Sequence, residues 1–162
     1  MLRTMKSSIE AMRELVYDTA TTLDQSRPLE DAAARKAAQA RLDLLTPVVK
    51  AWCTDLGVEI ASMGVQVHGG IGYMEETGAV QHLRDSRIAP IYEGTNGIQA
   101  QDLVARKILR DRGAAANSYI SEIQALCDAL TATSGDTAKA LQTQLSAACD
   151  TLRNTTDWLL TE

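Results

Sequence analysis

The 162-residue sequence contains no phenylalanine, only two tryptophans and four tyrosines. A core without aromatic bulk must be packed by Ala, Leu, Ile, Val and Met, which favours helices. Cysteine is scarce and odd in number: Cys53, Cys127 and Cys149, with no C-x-x-C pair. That argues against a disulfide framework and a structural zinc site, and it suits a reducing compartment. Basic residues are outnumbered, 16 Lys and Arg against 21 Asp and Glu, for a net charge of −5. That balance argues against a general nucleic-acid binder, which needs a basic face to neutralise phosphates. No stretch approaches the roughly 18 uninterrupted apolar residues of a membrane helix. The opening Met1-Leu2-Arg3-Thr4-Met5-Lys6 lacks the apolar run of a secretion signal. What remains is ordinary for one globular domain: 45% apolar and 23% charged residues.

The apolar residues recur with helical period. Met5, Ile9, Met12, Val16, Thr19 and Leu23 form a stripe on a first helix. Pro28 marks a break and is well placed to start a second helix. From Leu29 to about Val67 the composition is Ala-rich, enough for roughly 55–60 Å of helix. Pro47 lies inside that span and predicts a kink or short break near Leu45–Thr46. Gly78–Ile88 predicts a short helix, and another runs from Thr95, a candidate N-cap, to Leu109. Beyond Gly113, Tyr119, Ile120, Ile123, Leu126 and Leu130 form one stripe. Leu141, Leu145, Ala148, Leu152 and Leu159 form a second, with Thr133-Ser134-Gly135 as the turn of a helical hairpin.

Between His68 and Gly97 the helical pattern fails. Gly69, Gly70, Gly72, Gly78, Gly94 and Gly97 all lie there, six of the ten glycines. Glycine gathers where the backbone needs positive φ or approaches something closely. A dinucleotide fingerprint would need G-x-G-x-x-G between a strand and a helix. Gly70-Ile71-Gly72-Tyr73-Met74-Glu75 lacks the third glycine and has helical flanks. No Gly-Lys-Ser/Thr makes a phosphate loop, although bare backbone N–H groups in turns still form anion nests.

His68 and His82 are the only histidines, and no carboxylate at a metal-like helical offset joins them. No Gly-x-Ser-x-Gly elbow is present. Arg84 and Asp85 read as solvated or paired surface charges. Glu93 differs: it follows Pro90-Ile91-Tyr92 and precedes Gly94-Thr95 at a helix start. A carboxylate kept dry among such neighbours is suited to general-base work near neutral pH. Stabilisation by the dipole of the following helix is the alternative reading.

Three segments together resemble the C-terminal part of acyl-CoA dehydrogenases, in order and spacing. They are Gln66-Val67-His68-Gly69-Gly70-Ile71-Gly72-Tyr73, Leu83-Arg84-Asp85-Ser86-Arg87-Ile88 and Ile91-Tyr92-Glu93-Gly94-Thr95-Asn96-Gly97-Ile98-Gln99. The chain most resembles the large bacterial branch that includes methylmercaptopropionyl-CoA dehydrogenase. The resemblance implies an all-α fold: an antiparallel helical bundle over 1–112, then a helical hairpin over 113–162 that begins a C-terminal extension. It also implies a fragment, inactive alone, because the family's N-terminal helical domain, middle β-domain and first bundle helix are missing.

The roles the resemblance implies are carried over by motif. Glu93 matches the base that removes the α-proton of an acyl-CoA thioester while the β-hydrogen passes as hydride to FAD. The backbone N–H at that position helps to polarise the thioester carbonyl, as preorganised donors do in general. Tyr92 walls the substrate pocket and Gly94 leaves room for the acyl chain. Gln66, Gly69, Gly70 and Thr95 match FAD-binding positions, the first three toward a neighbouring subunit's cofactor. Gly97 stands where many relatives carry Gln, so only Thr95 is carried over there. His68 is implied to be a packing or cofactor-proximal residue, and no metal is implied. Relatives hand electrons to electron-transferring flavoprotein, are dimers or tetramers built through this domain, and work in the bacterial cytoplasm. An acyl-CoA oxidase or a non-catalytic oligomerisation module are the competing functions.

Overall fold

The computed structural model describes residues 1–131 and 135–161. Among these all regular structure is helical, in two compact units, Met1–Leu103 and Val104–Glu162.

In the first unit α1 (Leu2–Ser26) lies antiparallel to α2 (Ala32–Val67). Met5 reaches the Gly64 end of α2, while Asp18 meets Arg41 at 2.9 Å farther along. Met5, Met12 and Thr19 turn toward the partner helix together with Ser8 and Leu15. Ile9, Val16 and Leu23, the rest of the expected stripe, stay exposed at seven-residue spacing.

The start of α2 is set by Asp31 rather than by Pro28. Its carboxylate accepts from the backbone N–H groups of Ala33 and Ala34 at 3.0 and 3.3 Å, a side-chain N-cap. Arg35 then folds back onto the Leu29 carbonyl at 2.7 Å and holds the preceding turn.

Of the kink or short break expected near Leu45–Thr46, the break does not occur: one α-helix runs through Pro47. Pro47 is buried beside Leu42, Leu44 and Leu45. Burial of this apolar stretch outweighs the roughly 3 kcal/mol that an internal proline costs. The Thr46 hydroxyl donates to the Leu42 carbonyl at 2.7 Å within the same turn.

Past α2 the chain makes two tight turns, Gly69–Tyr73 and Glu75–Thr77, before α3 (Ala79–Arg87). Gly72 is the glycine this packing cannot replace. A Cβ there would sit 2.5 Å from the Val65 carbonyl oxygen and 2.6 Å from the His68 Cβ. A loop over 88–95 leads into α4 (Asn96–Gln101). The single helix expected over 95–109 is instead short, because Asp102–Ile108 widens into π-helical turns, with Leu109 N–H donating to Val104 at 2.9 Å.

The second unit pairs α5 (Ala114–Thr131) with α6 (Asp136–Thr161), antiparallel. Thr133 and Ser134 of the expected turn lie outside the described residues. The seam is made by Ala116, Ile120, Cys127, Cys149 and Thr156. Leu126, Leu141 and Leu152, expected to fill it, are exposed.

Burial pushes the Cys127 thiol up, and its neighbour Cys149 and the charge of Asp128 push the same way. Burial also raises Cys53. A folded thiol that holds its proton more tightly than the unfolded one adds stability below about pH 8.5. That stability is lost as pH rises through the folded value. Thermal melts of the chain should therefore fall from pH 8 to 10, with a smaller fall in Cys127→Ala. In labelling by a thiol reagent at pH 8, half-buried Cys53 should react about 10-fold faster than Cys127 and Cys149. Equal rates for all three would contradict the seam.

Candidate active site

Glu93 sits in the loop between α3 and α4, with φ of +53°. Gly94 follows with φ of +86°. A left-handed backbone is ordinary for glycine but costs a residue with a side chain on the order of 1–3 kcal/mol. Such a residue persists only where its surroundings fix the chain on both sides. Here the Ile88 carbonyl accepts from Ile91 and Tyr92 N–H at 2.9 and 3.1 Å, and Pro90 accepts from Asn96 N–H at 3.1 Å. Arg112-Gly113 shares the conformation, φ of +55° and +74°. There it leads into α5, with the Asp111 carboxylate capping Ala115 N–H at 2.9 Å.

The Asn96 side chain ties the loop to α2. Its Nδ2 donates to the Ala51 carbonyl and to Thr54 Oγ1, both at 3.0 Å. Its Oδ1 accepts from Lys50 Nζ at 2.8 Å. Thr54 in turn donates to the Lys50 carbonyl at 2.7 Å. The opposite amide orientation would face two donors toward the lysine ammonium, so the network fixes the orientation. Sequence reasoning passed over Lys50, Thr54 and Asn96, whose separation along the chain carries no periodic signal.

This chain alone does not keep Glu93 dry. The side chain is exposed, and the apolar residues around it do not close over it. Ile88, Ile91, Tyr92 and Ile98 are themselves 46–54% exposed and form an open apolar rim. Gly94 has limited room on one side, since a Cβ would come within 2.9 Å of Gln99 Nε2. The same Gln99 nitrogen donates to the Gly94 carbonyl at 3.3 Å.

The other expected site residues fall in two places. Tyr92, Gly94 and Thr95 share the Glu93 loop. Thr95 occupies the N-cap position of α4, but its hydroxyl makes no capping bond; its backbone carbonyl accepts from Ile98 and Gln99 instead. Gln66, Gly69 and Gly70 sit at the end of α2, all exposed. Gly69 needs its left-handed φ of +65°. At Gly70 the φ is not left-handed and a Cβ would meet nothing, so no packing within the chain calls for a glycine. Ile71, Tyr73 and Met74 beside it are exposed as well.

His68 Nδ1 lies 2.8 Å from the Gly64 carbonyl, which makes that nitrogen the donor. Treated as unrelated in the sequence, His68 and His82 border one cleft of about 520 Å³, together with Met5, Gly57, Ala61 and Gly64. Glu93 is not among its lining residues. No cluster of three or more potential metal ligands occurs among the described residues. Arg84 pairs with Glu75 at 3.1 Å and Asp85 accepts from Gln81 at 2.6 Å, the surface pairing expected of them.

The family described as acyl-CoA dehydrogenase, C-terminal domain, matches residues 1–109. A 3-methylmercaptopropionyl-CoA dehydrogenase of Ruegeria pomeroyi is 47% identical over 125 residues, 77% of this chain and 21% of that protein. A butyryl-CoA dehydrogenase of Syntrophomonas wolfei is 34% identical over 76% of this chain and 20% of that protein. A broad-specificity linear acyl-CoA dehydrogenase of Mycobacterium tuberculosis is 35% identical over 78% and 21%. The chain thus spans about a fifth of the length of the curated relatives it matches. A solved structure titled Bd2924 apo-form shares the fold, with a TM-score of 0.68 at 23% identity, over 98% of this chain and 32% of that one.

Proposed function

Because the chain belongs to the acyl-CoA dehydrogenase family by its C-terminal domain, we propose that the enzyme carrying it oxidises an acyl-CoA thioester between Cα and Cβ, with Glu93 as the α-proton base. The observation that carries this reading is the left-handed Glu93: a residue with a side chain stands where glycine would be easier, inside an apolar rim, and ends no helix. A hydrophobic acyl chain suits Ile88, Ile91, Tyr92 and Ile98, whose exposed surface would be covered on binding. Covering them would also strip water from Glu93, the desolvation that this chain does not supply by itself. Gly94 keeps side-chain bulk away from the approaching thioester.

The residues present fit an FAD. Gly70 offers open backbone that no internal packing demands, Gln66 offers an exposed amide, and Thr95 has a hydroxyl free of capping. When bound, the flavin accepts the β-hydrogen as hydride. Glu93 removes and holds the α-proton, Tyr92 walls the acyl chain, and the backbone N–H at Glu93 is available to the carbonyl. We place electron-transferring flavoprotein as the acceptor. Self-association is supported by exposed Leu2, Ile9, Val16 and Leu23, which recur every seven residues along α1.

The test is reoxidation of the substrate-reduced enzyme at full family length. Fast reoxidation by the acceptor flavoprotein with slow reaction toward oxygen is expected. Rapid reoxidation by oxygen alone would make it an oxidase, and no reduction by any acyl-CoA would discard the reading.

A further inference from the structure

We propose that Asn96 is a positioning residue for Glu93, holding the base in its left-handed conformation by anchoring the loop to α2 through Lys50, Ala51 and Thr54. The inference rests on the reading of Glu93 as base, but its own observations are independent of it. Residues 91–95 are pinned at the front by the Ile88 carbonyl and at the back by Asn96. The front anchor is local and belongs to the end of α3. The back anchor is the one that ties the loop to α2, over a sequence separation of more than 40 residues.

Asn96 suits this task chemically. Both amide hydrogens have acceptors, and its oxygen meets an ammonium, a charge-assisted bond. The network is part-buried, where a hydrogen bond is stronger than in open water. Removing the side chain leaves the Lys50 ammonium and the Ala51 carbonyl without it. The loop then loses these side-chain bonds to α2, and the Pro90–Asn96 and Ile88–Tyr92 backbone bonds left to hold it open more often. Lys50 and Thr54 lie one helical turn apart on α2, so a rigid helix presents both partners to the loop. Asp at position 96 would keep the acceptor for Lys50 but turn an oxygen toward the Ala51 carbonyl, and so should not substitute.

The test has two parts. In the chain itself, hydrogen exchange should quicken by about 10-fold or more at the Tyr92 and Asn96 amides in Asn96→Ala, with the α1–α2 core unchanged. In the enzyme of full family length, Asn96→Ala and Asn96→Asp should lower kcat by about 10- to 100-fold while KM for the acyl-CoA changes less than about 3-fold. Lys50→Met, which leaves Asn96 in place, should show a smaller loss, and Lys50→Arg should restore most of it. Should Asn96→Ala fail to fold, the Lys50 pair carries the test. Wild-type kcat and unchanged exchange in Asn96→Ala, with Glu93→Gln inactive, would overturn the positioning role and leave the base in place. Activity retained by Glu93→Gln would instead overturn the base, and the exchange measurement would still decide whether Asn96 anchors the loop.

Discussion

Glu93→Gln in the enzyme of full family length should lower kcat by about 10²- to 10⁴-fold and leave KM for the acyl-CoA nearly unchanged. The amide is nearly the same size as the carboxylate, so the loop and its apolar rim persist. It cannot take up a proton from carbon. An α C–H is a poor acid even beside a thioester, so the transition state depends on a base already at hand. Because the base acts on the reacting bond rather than on binding, the loss should fall on kcat. Glu93→Asp should be intermediate: it keeps the charge but withdraws it by one methylene, and near-attack geometry is sensitive at that scale. Steady-state turnover with a saturating acyl-CoA measures both variants.

The second large effect is on stability. Ile120→Ala should destabilise the α5–α6 pair by about 2–5 kcal/mol. Ile120 is fully buried, and with Cys127 and Thr156 it is among the largest fully buried side chains of the described residues. A two-helix unit of this size has little apolar area to spare, so one cavity removes a large share of its stability. The α1–α2 unit has buried apolar residues of its own, Leu42, Leu45 and Ile60. Leu45→Ala should therefore act on the first unit, and the two losses should add to within about 0.5 kcal/mol. Hydrogen exchange resolved by segment checks this, and loss of protection over α1 and α2 in Ile120→Ala would contradict it.

Helix number and placement were legible because apolar spacing and Ala-rich composition are local signals. So was Gly78–Ile88, which flanks the observed α3 by one residue at each end. The uninterrupted helix through Pro47 was not legible, since the proline's cost is local while the burial that outweighs it comes from packing. The hairpin seam was legible only in part, for a related reason. Ile120 of the expected stripe is fully buried and Leu130, Leu145 and Leu159 are half-buried. Yet the small residues Ala116, Cys127, Cys149 and Thr156 line the close contact, and Leu126, Leu141 and Leu152 are left outside. At the site, Glu93 stood out through its motif. The Asn96 network did not, because partners 42 and 46 residues apart in sequence announce themselves only when the loop meets α2. Exposure of Glu93 also lay beyond sequence, as apolar neighbours in a chain do not fix whether they close over it.

Isotope exchange at the thioester α-carbon addresses the role of Glu93 apart from any later electron transfer. Full-length enzyme is incubated with acyl-CoA in D₂O, and the recovered thioester is weighed by mass spectrometry. Deuterium should enter the α-position with wild-type enzyme and at least about 100-fold more slowly with Glu93→Gln. Equal incorporation by both enzymes would mean that another group takes the proton.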